Sequence, residues 1–206
     1  MYLSVQVGEY PTHFPTCFQS NFLRKVSYCR DRLEDGGFTK QPPYVNVYIL
    51  LELYGMLGIF LDTETNGLNA FKHRIIEIAF KLVNILTDDV VDSYTTIVRV
   101  DKAAWEDSDP ASLHINGFTY EQIAQGKAPQ QVAQEIQMMF KKHNIQRGTS
   151  VFICQNPSFD RSFFAQLISP ELQESLNWPY HWLDLASMYW VDSLRKGRET
   201  RLITLG

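Results

Sequence analysis

An apolar run that ends on two carboxylates constrains this chain more than any other feature. Gly58-Ile59-Phe60-Leu61 leads directly into Asp62-Thr63-Glu64-Thr65-Asn66-Gly67-Leu68. A run this short, closed by the turn-forming pair Asn66-Gly67, reads as a buried strand followed by a turn. Residues i and i+2 of a strand face the same way, so Asp62 and Glu64 project two carboxylates side by side. Two like charges so placed repel unless something neutralises them. Carboxylate oxygens suit hard cations such as Mg²⁺ or Mn²⁺. Gly67 permits a tight turn and a close approach by a substrate backbone. Standing alone, such a pair is as readily a solvated turn, so the rest of the chain has to decide.

The rest of the chain supplies an α/β order. Arg74–Asn84 carries Ile76, Ile78, Phe80 and Leu82 at alternate positions, the period of a strand. Val90–Val100 is rich in β-branched residues and reads as a third strand, joined to the second by the polar turn Thr87-Asp88-Asp89. Short connections of this kind predict three antiparallel strands. A helix begins at Ala128-Pro129 and buries Val132, Ile136, Met139 and Phe140 on one face. Val151–Cys154 reads as strand four. Ser158 is the expected N-cap of a helix burying Phe159, Phe163 and Leu167. Trp182–Leu185 reads as a short fifth strand, followed by a helix to about Leu194.

A second carboxylate motif, Asn156-Pro157-Ser158-Phe159-Asp160, follows strand four. If strand four lies beside strand one, Asp160 reaches the same spot as Asp62. Three carboxylates at adjacent strand ends can bridge two metals about 4 Å apart. An Asp in the first turn of a helix is otherwise an ordinary dipole-stabilising charge.

D-x-E-T-x-G-L after one apolar strand and N-x-x-F-D after another resemble the first two motifs of the DEDD (DnaQ-like) 3′–5′ exonucleases. That family includes the epsilon proofreading subunit of bacterial DNA polymerase III, RNase T and oligoribonuclease. Arg74-Ile75-Ile76-Glu77-Ile78-Ala79 and His114-Ile115-Asn116-Gly117-Phe118-Thr119 are similar to it as well. The resemblance runs from about Leu57 to Leu194. It implies a ribonuclease H-like mixed sheet of three antiparallel and then two parallel strands, flanked by helices. It implies two Mg²⁺ or Mn²⁺ ions on Asp62, Glu64 and Asp160, and hydrolysis of DNA or RNA from a single-stranded 3′ end, with a DNA polymerase subunit as a candidate partner. Thr65, Gly67, Leu68, His114 and Asn156 are the expected substrate contacts. Leu68 either wedges against a terminal base or packs. His114 and Asn156 either touch substrate or hold their loops.

The family's third motif, an Asp preceded by a general-base His or Tyr on a late helix, is not found before Gly206. The expectation is therefore an exonuclease domain over residues 56–206 that lacks its last helix, with a non-hydrolysing nucleic-acid-binding module as the alternative. Arg201–Gly206 resembles the approach to that helix. Tyr180 and Asp184 have a Y-x-x-x-D spacing, but Trp182-Leu183-Asp184 matches the family's fifth strand instead. Residues 1–55 read as an irregular extension, broken by Pro11, Pro15, Pro42, Pro43 and Gly36-Gly37, with one possible helix around Phe22–Leu33. Met56 stands where many members of the family begin.

Composition sets the outer limits. A net charge of −4 is not the balance of a protein that binds nucleic acid by bulk positive charge alone, but it does not exclude nucleic acid, because carboxylate-held metal ions can carry positive charge to the phosphates. Three cysteines without a C-x-x-C pair suggest a reduced, cytoplasmic setting. No secretory leader is visible. Tyr44–Leu61 is the most apolar stretch, but it holds Asn46 and Glu52 and ends as the first strand, so no membrane span is expected. His73, His143 and His181 have no evident partner and read as surface residues.

Overall fold

The computed structural model describes residues 56–197. The expectations for residues 1–55 and for Arg201–Gly206 lie outside the described residues. Three strands come first: β1 (Leu57–Thr65), β2 (Ile75–Asn84) and β3 (Val90–Ile97). β1 and β2 pair antiparallel, as do β2 and β3. β4 (Ser150–Cys154) then pairs parallel with β1, and β5 (Trp182–Asp184) parallel with β4. The sheet order is β3-β2-β1-β4-β5. This is the expected arrangement of three antiparallel and two parallel strands, and it puts β4 directly beside β1.

β2 is buried at nearly every position rather than at alternate ones. The reason is its place in the sheet: both of its faces are covered. Ile78, Phe80 and Leu82 join the main core, while Ile76 joins a second cluster with Val100 and Ile123. The main core lies under α4 (Pro129–Lys142) and α5 (Pro157–Leu167). α4 buries Val132, Ala133, Ile136 and Phe140, and α5 buries Phe163 and Phe164. Aromatic rings knit these layers together. Phe152 of β4 stacks on Trp182 of β5 with centroids 4.0 Å apart, and Phe140 meets Trp178 at 4.7 Å. Of the face that the spacing predicted, Phe163 is fully buried while Phe159 and Leu167 are partly buried against the core, and Phe164 is fully buried as well.

Four short helices have no periodic signature in the sequence: α1 (Lys102–Glu106), α2 (Pro110–Asn116), α3 (Tyr120–Ala124) and α6 (Pro170–Ser175). Each is at most two turns long, too short for a 3.6-residue period to show. They are set by their caps. The Asp101 and Asp109 carboxylates accept from Ala104 N and Ala111 N, the Ser169 hydroxyl accepts from Leu172 N, and Thr119 forms a capping box with Gln122. α7 (Leu185–Arg195) closes the described chain. Among the described residues no helix is long and apolar enough to cross a membrane.

The N-cap of α5 is Asn156, not Ser158. Pro157 takes the first helical position, where its missing N–H costs nothing, and this moves the cap two residues earlier. The Ser158 hydroxyl donates instead to Asn156 Oδ1 at 2.6 Å.

Candidate active site

β1 carries Asp62 and Glu64 half-buried at its C-terminal end, between the fully buried Leu61, Thr63 and Thr65. The antiparallel register sets Glu64 directly opposite Glu77 of β2, and Asp62 opposite Ala79. On the other edge of β1, strand pairing with β4 reaches Phe60↔Ile153 and goes no further. There β4 ends and the chain turns into α5. Beyond that point Thr63 offers an edge N–H with no strand partner. Asp160, in the first turn of α5, fills the gap: its Oδ1 accepts from Thr63 N at 3.1 Å and from the Thr63 hydroxyl at 2.9 Å.

The structure therefore brings the three predicted carboxylates to one end of β1 and adds a fourth, Glu77. Glu77 is 6% exposed in a strand otherwise made of apolar residues, one lysine and the terminal Asn84. An acid placed in an apolar run was the available sequence signal. Thr63, which holds Asp160 by two hydrogen bonds, gave no sign of that role.

Electrostatics tie the four together. Burial, and then the charge of Asp62, pushes Glu64 up to about 7 from 4.5. Burial, then Glu64 and Asp62, raises Glu77 to about 7. Burial, then Asp62, raises Asp160 from 3.8 to about 7, against the opposing pull of the Thr63 hydrogen bonds. Asp62 is thus the common neighbour of the other three. Cys154, buried at the end of β4, has its thiol pushed well up by burial and then by Asp160 and Asp62. Such a thiol is inert packing rather than a nucleophile.

The loop after β1 is fixed by Asn66, which is fully buried. Its Nδ2 donates to Ala104 O at 2.8 Å and to Ser108 Oγ at 2.9 Å, and its Oδ1 accepts from Arg74 N at 2.6 Å. Thr65 is buried, and its hydroxyl donates to Gly67 O at 2.8 Å. At Gly67 a Cβ would overlap the His73 imidazole, so packing alone already requires glycine there. His73 is consequently not a surface residue. It is 8% exposed, and its Nδ1 accepts from Asn69 N at 3.1 Å. His143 is likewise not a free surface group, since its Nε2 lies 2.7 Å from Asp92 Oδ2. His181 is exposed, as read from the sequence.

Of the remaining expected contacts, Leu68 is 73% exposed at the loop and Asn156 is exposed at the α5 cap. His114 is exposed in α2, whose last residue, Asn116, donates from Nδ2 to Thr65 O at 3.0 Å. Asp184 is occupied as the N-cap of α7, accepting from Ala186 N at 2.9 Å and from the Ser187 hydroxyl. That is the structural role its place in strand five implied.

Four acidic side chains of one kind fit hard cations in donor chemistry and in their excess of negative charge. They do not form a closed ligand set: among the described residues no group of three or more His, Cys, Asp or Glu is arranged to hold an ion.

No curated protein matches the chain in sequence. Solved structures share its fold at low identity. Exonuclease I from Methylocaldum szegediense is 15% identical with a TM-score of 0.58, over 71% of this chain and 31% of that one. Exonuclease I of E. coli in complex with a dT13 oligonucleotide is 15% identical with a TM-score of 0.53, over 71% and 31%. Cell-death related nuclease 4 (CRN-4) is 12% identical with a TM-score of 0.55, over 72% and 51%. The chain thus spans about a third of the length of the exonuclease I proteins it matches. The sheet described above is the ribonuclease H-like exonuclease fold. The exonuclease family RNase_T matches residues 59–187, more than half of the sequence and every carboxylate of the cluster, so the chain belongs to the RNase T exonuclease family.

Proposed function

We propose that this chain is a metal-dependent 3′–5′ exonuclease that trims single-stranded DNA or RNA ends in the manner of a proofreading nuclease. Asp62, Glu64 and Asp160 are its metal ligands, and Glu77 is the acid beside them. The observation that supports this most is the meeting of four acidic side chains around Asp62 at one end of β1, three of them raised to about 7. A fold does not maintain such repulsion for stability.

The carboxylates would hold two Mg²⁺ or Mn²⁺ ions, which lower the pKa of water and offset charge on the scissile phosphate. The chain's own groups do the rest. Asp62, whose charge acts on Glu64, Glu77 and Asp160, would be the central ligand of the set. Thr63 holds Asp160 in place through two hydrogen bonds to Oδ1, and Asp160 would serve as a ligand from that position. Glu77, buried and raised to about 7, would stand as a partly protonated acid beside the ligands near neutral pH. Asn66 and the Thr65 hydroxyl hold the loop that presents Leu68 to the terminal base.

A second reading, a nucleic-acid-binding module that does not hydrolyse, draws on the same Asp160–Thr63 contact and the unclosed ligand set. One assay separates the two. A 5′-labelled single strand, DNA or RNA, is incubated with the protein in Mn²⁺ or in EDTA. Stepwise shortening from the 3′ end in Mn²⁺, abolished in Asp62→Ala, is the result expected of the exonuclease. Metal-dependent binding with an intact strand would establish the second reading and end the first.

A further inference from the structure

The loop joining β1 to β2 contains a residue that folding does not explain. Phe71 is 98% exposed, the most exposed large apolar side chain among the described residues. Exposed aromatics are common on slack loops, but this one is built on a rigid turn. Phe71 N donates to Asn69 Oδ1 at 2.9 Å, and Lys72 N and His73 N donate to Asn69 O at 3.0 and 2.7 Å. Gln166 of α5 braces the turn from below, donating from Nε2 to Ala70 O at 2.8 Å and to His73 O at 2.9 Å. Ala70 itself packs on the main core. The backbone on both sides of Phe71 is thus anchored, and only its ring is left in water.

The surroundings indicate what the ring meets. The two strands that this loop connects carry Asp62, Glu64 and Glu77, so Phe71 stands at the rim of the carboxylate cluster. It is followed by Lys72 and Arg74, both exposed, in a chain whose net charge is −4. The Arg74 guanidinium is folded back on the loop, donating from Nη1 to His73 O at 2.9 Å and to Lys72 O at 3.2 Å. Its charge therefore has a fixed position. A flat apolar ring next to two cations, one of them fixed, beside a site that itself repels anions, matches a single-stranded nucleic acid: base against ring, phosphates against Lys72 and Arg74.

We propose that Asn69–Arg74 is a docking ledge for single-stranded nucleic acid, on which Phe71 stacks with a base upstream of the terminal nucleotide while Lys72 and Arg74 hold the flanking phosphates. The ledge supplies the attraction that the acidic cluster lacks. It also favours unpaired strands, because a base inside a duplex has no free face to offer. This deepens the exonuclease reading and rests on it for the position of the 3′ end, but it makes a claim about binding that stands or falls separately.

The test is binding of fluorescein-labelled dT12 in Ca²⁺ buffer, measured by anisotropy with the full chain. Phe71→Ala is expected to weaken binding by about fivefold to a hundredfold, with a melting temperature unchanged because the ring touches nothing. Phe71→Trp is expected to restore binding, with the new indole emission quenched on addition of dT12. Lys72→Ala and Arg74→Ala are each expected to lower the slope of log K against log salt by about 0.7. Affinity unchanged in Phe71→Ala, an unquenched Trp, unchanged salt slopes, or no binding of dT12 by the unmodified chain would each overturn the ledge. Tight, Phe71-dependent binding of a strand that is never shortened in Mn²⁺ would support the ledge while ending the exonuclease reading.

Discussion

Replacing Glu77 with Gln should stabilise the metal-free protein, and only above the ordinary pKa of a carboxyl group. Glu77 is buried at 6% exposure, opposite Glu64 in the β1–β2 ladder, and its pKa rises from 4.5 to about 7. The folded protein thus keeps a proton that the unfolded chain releases near 4.5. Stability from this source is greatest below 4.5 and falls as the pH rises to 7. Above 7 the ionised, folded state carries a penalty of about 3 kcal/mol. Gln has nearly the shape of Glu and no charge, so Glu77→Gln removes the penalty and relieves Glu64 as well. For a domain of this size the gain corresponds to roughly 10 °C in melting temperature. Thermal melts of both proteins in EDTA at pH 4.5 and pH 8 are sufficient. The expected outcome is near-coincident melting at pH 4.5 and a variant melting well above the unmodified chain at pH 8. Mg²⁺ should narrow the gap by stabilising the unmodified chain. A variant no more stable at pH 8, or a difference of the same size at both pH values, would refute the claim that burial, and then Glu64 and Asp62, disfavour the Glu77 charge in the fold.

Other perturbations probe the frame around the cluster. Asn66→Ala removes three part-buried hydrogen bonds, to Ala104 O, Ser108 Oγ and Arg74 N, and should cost about 3 kcal/mol in urea unfolding. Gly67→Ala drives a methyl into His73 and should cost about 1–3 kcal/mol, with the pairing tested by partial recovery in Gly67→Ala/His73→Ala. Phe152→Ala, which removes a fully buried ring stacked on Trp182, should cost about 3–5 kcal/mol by the same measurement. Asp92 is held down to about 2 by its hydrogen bond from Lys142 and then by His143, so it contributes stability above pH 3.8 that is lost as the pH falls to 2. Asp92→Asn should therefore cost about 1 kcal/mol at pH 6 and nothing at pH 2 in denaturant melts.

The sheet was legible because its strands are marked at both ends. Asn66-Gly67 and Asp88-Asp89 punctuate runs that have the right length and the right branched residues. The carboxylates Asp62, Glu64 and Asp160 were legible because motif spacing and strand geometry pointed to one place. Glu77 was not, because its role depends on register: only the pairing Glu64↔Glu77 makes it a neighbour of the site. Thr63 was hidden for a similar reason, since its N–H matters only because β4 stops short of it. His73 looked like a surface residue because its partner is a missing side chain, the hydrogen atom of Gly67, and sequence does not show which glycine makes room for what. The short helices between β3 and α4 depend on single capping residues rather than on a repeated pattern.

Calorimetric titration of Mn²⁺ into the full chain at pH 7.5, beside Asp62→Asn, addresses the cluster itself. The account predicts uptake of two ions with release of protons from the raised carboxylates, and loss of that uptake in the variant. An unmodified chain that takes up no Mn²⁺, or one whose uptake is the same without the Asp62 charge, would contradict it.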